Sequence, residues 1–250
     1  MPRYRLLIEY DGTPFVGWQR QGRGLSVQAA IEAALSKLCG EPVTLYAAGR
    51  TDARVHATGQ VAHADLPKDY AADTVRDAVN FHLKPLPVAV LKAEVVDDRF
   101  HARFSAIGRA YLYRIVNRRA PLGLDQNRAW WVPSALDTEA MAAGARRLLG
   151  HHDFTTFRAA DCQARTPMKT LDVLDVTRHG EEIRIRAAAR SFLHHQVRNM
   201  VGTLKLVGLG KWSPDDVTRA LEARTRAAGG PTAPSAGLFL TEVRYPDPDA

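Results

Sequence analysis

The sequence predicts an α+β fold built of two similar halves, and three observations carry that prediction. Residues 1–105 order their periodicities as strand, helix, strand, strand, helix, strand. Residues 106–245 open the same way, with an aromatic, β-branched strand and then a helix. No long Pro/Gly/Ser linker parts the halves. The order β-α-β-β-α-β is that of the split βαβ, or ferredoxin-like, unit. Two such subdomains, 1–105 and 106–245 with a frayed tail at 246–250, are expected to pack around a central, largely antiparallel sheet with a cleft between them.

Each element has a local cause. Alternation in RYRLLIEY predicts a strand, and the Gly/Gln/Arg-rich stretch from Asp11 to Gly24 a loop. Ser26 is placed to cap a helix whose apolar face is Val27, Ala30, Ile31, Ala34, Leu35 and Leu38, with Gly40 to end it. Strands near Val43–Ala48 and Gln60–Asp65 flank the loop GRTDARVHATG, and a helix at Ala72–Leu83 and a strand at Val88–Val96 follow. In the second half RAYLYRIVN reads as a strand, and Asp137–Leu149 as a helix ended by Gly150. Strands at Leu171–Arg178 and Glu182–Arg190 join through the turn-forming His179-Gly180. A helix at His194–Gly208 directs Val197, Met200, Val201, Leu204 and Val207 inward. Ser213 caps a helix at Pro214–Arg224 with proline in its first turn, and Leu238–Tyr245 is a last strand.

Composition narrows the function class. The chain has 250 residues, 46% hydrophobic and 24% charged, which excludes wholesale disorder and fibrous repeats. No apolar run approaches the roughly 18 residues of a membrane span, and the N-terminus reads into a strand without a secretory pattern. A soluble, cytoplasmic protein is expected. Cys39 and Cys162 form neither a disulfide framework nor a zinc motif. The net charge is +7, of which residues 1–105 carry +1 and the remainder +6. An arginine-rich excess suits a polyanion such as nucleic acid; a genomic bias toward arginine codons gives the same count.

The loop Gly49-Arg50-Thr51-Asp52-Ala53-Arg54-Val55-His56 holds the most informative chemistry. Arg50 and Arg54 beside Asp52 favour its ionised form, and an oriented carboxylate is a possible nucleophile. Local physics alone favours a turn or capping aspartate with solvated arginines. The longer pattern changes the reading. This loop resembles the GRTDAGVHA catalytic loop of the tRNA pseudouridine synthase A family. YDGTPFVGWQRQ, GQVAHAD, FHARFSA, RAYLYRI, HDFTTFRA, CQARTP, FLHHQVRNMVG and GLFLTEVRYP resemble further segments of that family, in order and nearly end to end. One departure is Arg54, where the family pattern has glycine; at a positive-φ position it would strain the loop by about 1–2 kcal/mol.

The resemblance implies an isomerase that breaks the uracil N1–ribose C1′ bond, turns the base and rejoins it through C5, with no cofactor and no metal. It makes Asp52 the nucleophile, whether at C1′, at C6 or by a glycal route. It makes Arg198, in VRNMVG, the permanently charged partner of Asp52, and Tyr111 the active-site tyrosine that stacks on uracil. Tyr113, two residues on, is either a site or a core aromatic, and Leu240 packs beneath. A uridine within a stem must leave the stack to react, and Arg50 matches the position that props the vacated space.

Phe100, His101, Ala102, Arg103 and Phe104 interleave aromatic and basic groups as RNA contacts do; they also fit a strand with Phe100, Ala102 and Phe104 inward. Asp161, Cys162, Gln163, Ala164 and Arg165 match a tRNA-contacting loop. The implied substrate is the anticodon stem-loop, positions 38, 39 and 40, and the implied assembly a homodimer. Two weaker readings are a noncatalytic RNA-binding module and a metal hydrolase using His151, His152, Asp153, His194 and His195. Against the second, adjacent helical histidines point about 100° apart.

Overall fold

The computed structural model describes residues 1–246 of the chain; most of the tail expected to fray, 247–250, lies outside them. The residues fall into two units, Met1–Ile107 with the chain from Phe239, and Gly108–Leu238. The α+β class holds, and within each unit the strands pair largely antiparallel.

In the first unit, β1 (Arg3–Tyr10), α1 (Val27–Cys39), β2 (Tyr46–Ala47), β3 (His56–Asp65), α2 (Ala72–Leu83) and β4 (Val88–Val96) follow in chain order. The sheet order is β4-β1-β3 with β2 beyond, so β1 and β2 are split by β3. β1 alternates: Tyr4, Leu6 and Ile8 are buried with Ile31, Leu35, Val75 and Val79 of the helices. Its other face sets charges against their opposites on adjacent strands. Arg3 lies opposite Asp65, 2.7 Å away, and Arg5 opposite Glu94, 2.5 Å away.

The helix ends follow the sequence. Ser26 Oγ accepts the Ala29 N–H at 3.1 Å, and Gly40 closes α1 at φ 77°. β2 is shorter than the strand expected at Val43–Ala48. The cause is the buried Glu32, which takes the Leu45 N–H at 3.0 Å, while Gln28 Nε2 donates to the Leu45 carbonyl at 3.3 Å. Backbone groups that a strand would need are spent on side chains of α1.

In the second unit, β5 (Gly108–Val116) is followed by a two-residue β6 (Trp130–Trp131), α3 (Thr138–Arg146), β7 (Gly150–Asp153), β8 (Met168–His179), β9 (Glu182–Ala189), α4 (Gln196–Gly208) and α5 (Pro214–Glu222). The sheet order is β5-β9-β8-β7, with β6 parallel to β5. Again one strand, β9, splits a βαβ pair. α3 stops short of the expected Leu149, and Gly150, at φ 98°, opens a strand that the helical pattern concealed. Ser213 and Asp216 form a capping box on α5. The core gathers Tyr113, Ile115, Met141, Leu148, Ile183, Ile185, Val201 and Leu204.

The last strand, β10 (Leu238–Arg244), groups from Phe239 onward with the first unit and not with residues 108–238. It runs parallel to β3, with Phe239 opposite His56 and Leu240 opposite Ala57. Gly59 permits that approach, because a Cβ there would collide with the Thr241 carbonyl. Among the described residues no helix is long and apolar enough to cross a membrane.

α4 depends on a similar close approach. A Cβ on Gly202 would run into the Pro231 carbonyl oxygen, and one on Gly230 would meet Thr203 Cα at 2.7 Å. Gly202→Ala is therefore expected to destabilise the protein by roughly 3 kcal/mol or more, read as a fall in the urea midpoint. An unchanged midpoint would show that the 230–233 segment yields freely.

Candidate active site

Asp52 sits in a loop whose backbone is held from behind. The Trp18 N–H donates to the Thr51 carbonyl at 3.0 Å, and Tyr10 Oη shares a buried 2.7 Å hydrogen bond with Thr51 Oγ1. Gln60, fully buried, donates from Nε2 to the Gly49 carbonyl at 2.8 Å. Two glycines of the first loop let its backbone lie against this one. A Cβ on Gly12 would collide with the Val55 carbonyl, and one on Gly17, at φ 114°, would sit 2.8 Å from the Thr51 carbonyl oxygen.

Asp52 itself is half-buried, while Arg50 and Arg54 are exposed. The Val55 N–H donates to the Asp52 carbonyl at 3.1 Å, closing a β-turn with Arg54 third. Arg54 has φ 64°, the left-handed conformation that favours glycine. The strain expected at this departure is present.

His56 closes the loop. Its ring is buried and stacks on Phe239 at 4.6 Å. Its Nδ1 accepts the Gly12 N–H at 3.0 Å and lies 3.2 Å from Asp11 Oδ1. Tyr10, Gly12, Gly17, Trp18, His56 and Gln60 were not singled out from the sequence. The glycines of YDGTPFVGW were the available signal, since paired glycines in a loop mark backbone approach.

Phe100–Phe104 form a turn and not a strand. Ala102 is fully buried on the second face of the first unit's sheet with Val61 and Ala48. Its N–H donates to His63 Nδ1 at 3.2 Å, and its carbonyl accepts from Tyr245 Oη at 2.7 Å. Phe100 packs half-buried against the same cluster, but Phe104, expected inward on a strand, is 75% exposed. His101 Nδ1 accepts the Arg103 N–H at 3.1 Å and the Phe104 N–H at 3.4 Å.

The second unit supplies the remaining residues. Arg198 lies in the first turn of α4, where its Nε donates to the Ala233 carbonyl at 2.8 Å and its own carbonyl accepts the Ala233 N–H at 3.1 Å. This exchange fixes the guanidinium plane. The next residue, buried Asn199, holds three segments together through Phe157, Arg226 and Thr232. His195, at φ 61°, turns the chain into the helix.

Tyr111, half-buried on β5, meets Phe192 edge-on at 5.2 Å. Tyr113 is a core residue: it is fully buried, donates to the Pro234 carbonyl at 2.7 Å, and has its phenol pKa pushed up by burial. In Asp161–Arg165, Asp161, Gln163 and Arg165 are exposed and Cys162 and Ala164 half-buried. Asp161 Oδ1 lies 3.1 Å from His194 Nδ1, which ties this loop to the segment entering α4.

Three residues of the metal-hydrolase reading, His151, His152 and Asp153, have structural partners. His151 meets Thr170, His152 meets the Leu149 carbonyl, and Asp153 accepts the Thr155 N–H.

Within the first unit Asp52 is a half-buried carboxylate on a held loop; within the second, Arg198 is an oriented guanidinium and Tyr111 a half-buried tyrosine. Known proteins identify the class of protein these residues belong to. The tRNA pseudouridine synthase family matches residues 6–105 and 145–246. A tRNA pseudouridine synthase A of Paramagnetospirillum magneticum is 79% identical over 98% of this chain and 96% of its own. Those of Rhodospirillum centenum and Maricaulis maris are 62% and 60% identical over 98% and 99% of this chain and 100% of their own. The chain belongs to the tRNA pseudouridine synthase family and isomerises uridine to pseudouridine in tRNA.

Two outcomes test the geometry. Arg54→Gly relieves the left-handed strain, less the backbone entropy of glycine. It should raise the unfolding free energy by about 0.5–1 kcal/mol in urea titration; a loss of stability would mean that the Arg54 side chain makes up for its backbone.

His63 gives a pH signature. Burial, then His101 and Arg3, hold its pKa down to about 4 from the usual 6.5. The unfolded chain therefore takes up this proton first as pH falls. Stability present above about pH 6.5 is lost toward pH 4, by up to ~3 kcal/mol. His63→Gln should flatten that acid limb of the stability curve, and an unaltered limb would assign it to other groups.

Proposed function

We propose that this chain modifies uridines 38, 39 and 40 in the anticodon stem-loop of tRNA, with Asp52 as nucleophile. The single observation that carries the reading is the held loop at Gly49–His56. It presents one half-buried carboxylate in a backbone clamp, within a segment that the family match covers. In the reaction the N1–C1′ bond of uridine breaks, the uracil turns, C5 bonds to C1′, and the C5 proton leaves as N1 gains one.

Asp52 must be ionised to attack. Arg198, always charged, holds it so, and its guanidinium is oriented for the task by the Ala233 carbonyl. Tyr111 stacks on the flipped base and assists removal of the C5 proton. Arg50 props the space left in the stem. Phe100–Phe104 and Asp161–Arg165 contact the RNA, with Arg103 and Arg165 toward phosphate. The enzyme works as a homodimer in the cytoplasm, where its substrate resides.

Asp52→Asn removes the nucleophilic charge at nearly constant shape. It should abolish pseudouridine formation by at least about 10³-fold while tRNA still binds, measured by tritium release and by filter binding on the same preparation. Retained activity would remove Asp52 from the mechanism. In cells lacking the protein, pseudouridine should disappear at positions 38–40 alone.

A further inference from the structure

The first unit carries a second feature that catalysis at Asp52 does not use. Four rings run in sequence across its surface. Tyr46 stacks on His63 at 5.1 Å and 21°, His63 meets His101 at 4.6 Å, and His101 meets Phe104 at 4.4 Å. The two ends of the array are open: Tyr46 is 49% exposed and Phe104 75%. Arg103 places its guanidinium 5.6 Å from the centre of the Phe104 ring.

The array is rigid. His63 Nδ1 takes the Ala102 N–H, and His101 Nδ1 takes the N–H groups of Arg103 and Phe104, so both imidazoles act as acceptors. Burial and the charge of Arg3 lower both their pKa values, which keeps the rings uncharged at neutral pH. The result is a run of neutral π faces with a fixed cation at its end.

We propose that Phe104, backed by His101 and flanked by Arg103, is a stacking platform for an unpaired nucleobase of the RNA substrate, with Tyr46 as its far edge. This deepens, and rests on, the RNA-contacting role proposed for Phe100–Phe104. Stacking on an aromatic face is available only to a base that is not already stacked within a duplex, and a guanidinium beside the ring suits the adjoining phosphate. The Arg103 guanidinium beside the ring favours a polyanionic strand over an acidic-poor protein surface.

The platform also sits well along β3 from the Asp52 loop. His63 lies seven residues along β3 from His56, about 23 Å of strand. The captured base is therefore a separate anchor that fixes the register of the RNA on the enzyme.

The test uses full-length Asp52→Asn protein and unmodified tRNA at fixed salt. Adding Phe104→Ala should weaken binding roughly tenfold, and Phe104→Trp should restore it. Because Phe104 is mostly exposed, the melting temperature should not move. Irradiation at 254 nm should join Phe104 or Tyr46 to a nucleotide that is unpaired in the tRNA.

An unchanged dissociation constant, or a crosslink to a paired nucleotide, overturns the proposal. So does a change in sedimenting mass on Phe104→Ala without a change in affinity, which would make the patch an interface between copies of the chain. The nucleophile assignment is read separately from pseudouridine formation, so either idea can fail while the other stands.

Discussion

The chemistry of this protein depends on how closely two stretches of backbone can lie. Thr51, the residue before the carboxylate, is gripped at its carbonyl by Trp18 and at its hydroxyl by Tyr10. That grip is possible only because Gly12 and Gly17 lack side chains where the first loop crosses the second. Each bond is worth about 1 kcal/mol, yet together they leave the Asp52 peptide little freedom. The nucleophile proposed here gains most from such confinement, since a misplacement of about 1 Å can cost 10²-fold in rate.

The second unit holds the backbone around Arg198 with the same device. Gly202 and Gly230 bring α4 against the 230–233 segment, and Arg198 and Ala233 exchange hydrogen bonds across that contact. Asn199 then ties the helix to Phe157 and, through Thr232, to the same 230–233 segment. A guanidinium on a helix that merely touched its neighbours would sample many orientations; here its plane is set by a backbone carbonyl. In both units a missing Cβ comes first and the functional side chain second.

Much of this was legible in the residues. Ser26, Gly40 and Ser213 marked helix ends because capping is local chemistry, and the buried stripe of α4 followed from its period. The left-handed turn at Arg54 was foreseeable because the residue stands where the resembled pattern has glycine. Other features arise from contacts between residues far apart in the chain. Glu32 and Gln28 take the backbone groups of Leu45 and so shorten β2. FHARF has the alternation of a strand, but His63 and Tyr245 capture Ala102 and fold the segment into a turn that leaves Phe104 outside. β10 joined the first unit for a similar reason, since its register partner, β3, lies far back in the chain. Tyr111 and Tyr113 share a strand and a spacing, yet Tyr113 is a fully buried phenol bonded to the Pro234 carbonyl while Tyr111 stays half-buried.

The most direct test of the backbone-clamp account is the single-turnover rate of pseudouridine formation by Gly17→Ala protein that still melts cooperatively, compared with its affinity for tRNA. A Cβ at this position presses on the Thr51 carbonyl without meeting RNA chemistry. The account predicts a rate lower by about 10²-fold with a dissociation constant close to that of the parent. A rate equal to the parent's would contradict it, because the carboxylate would then not depend on the loop behind it.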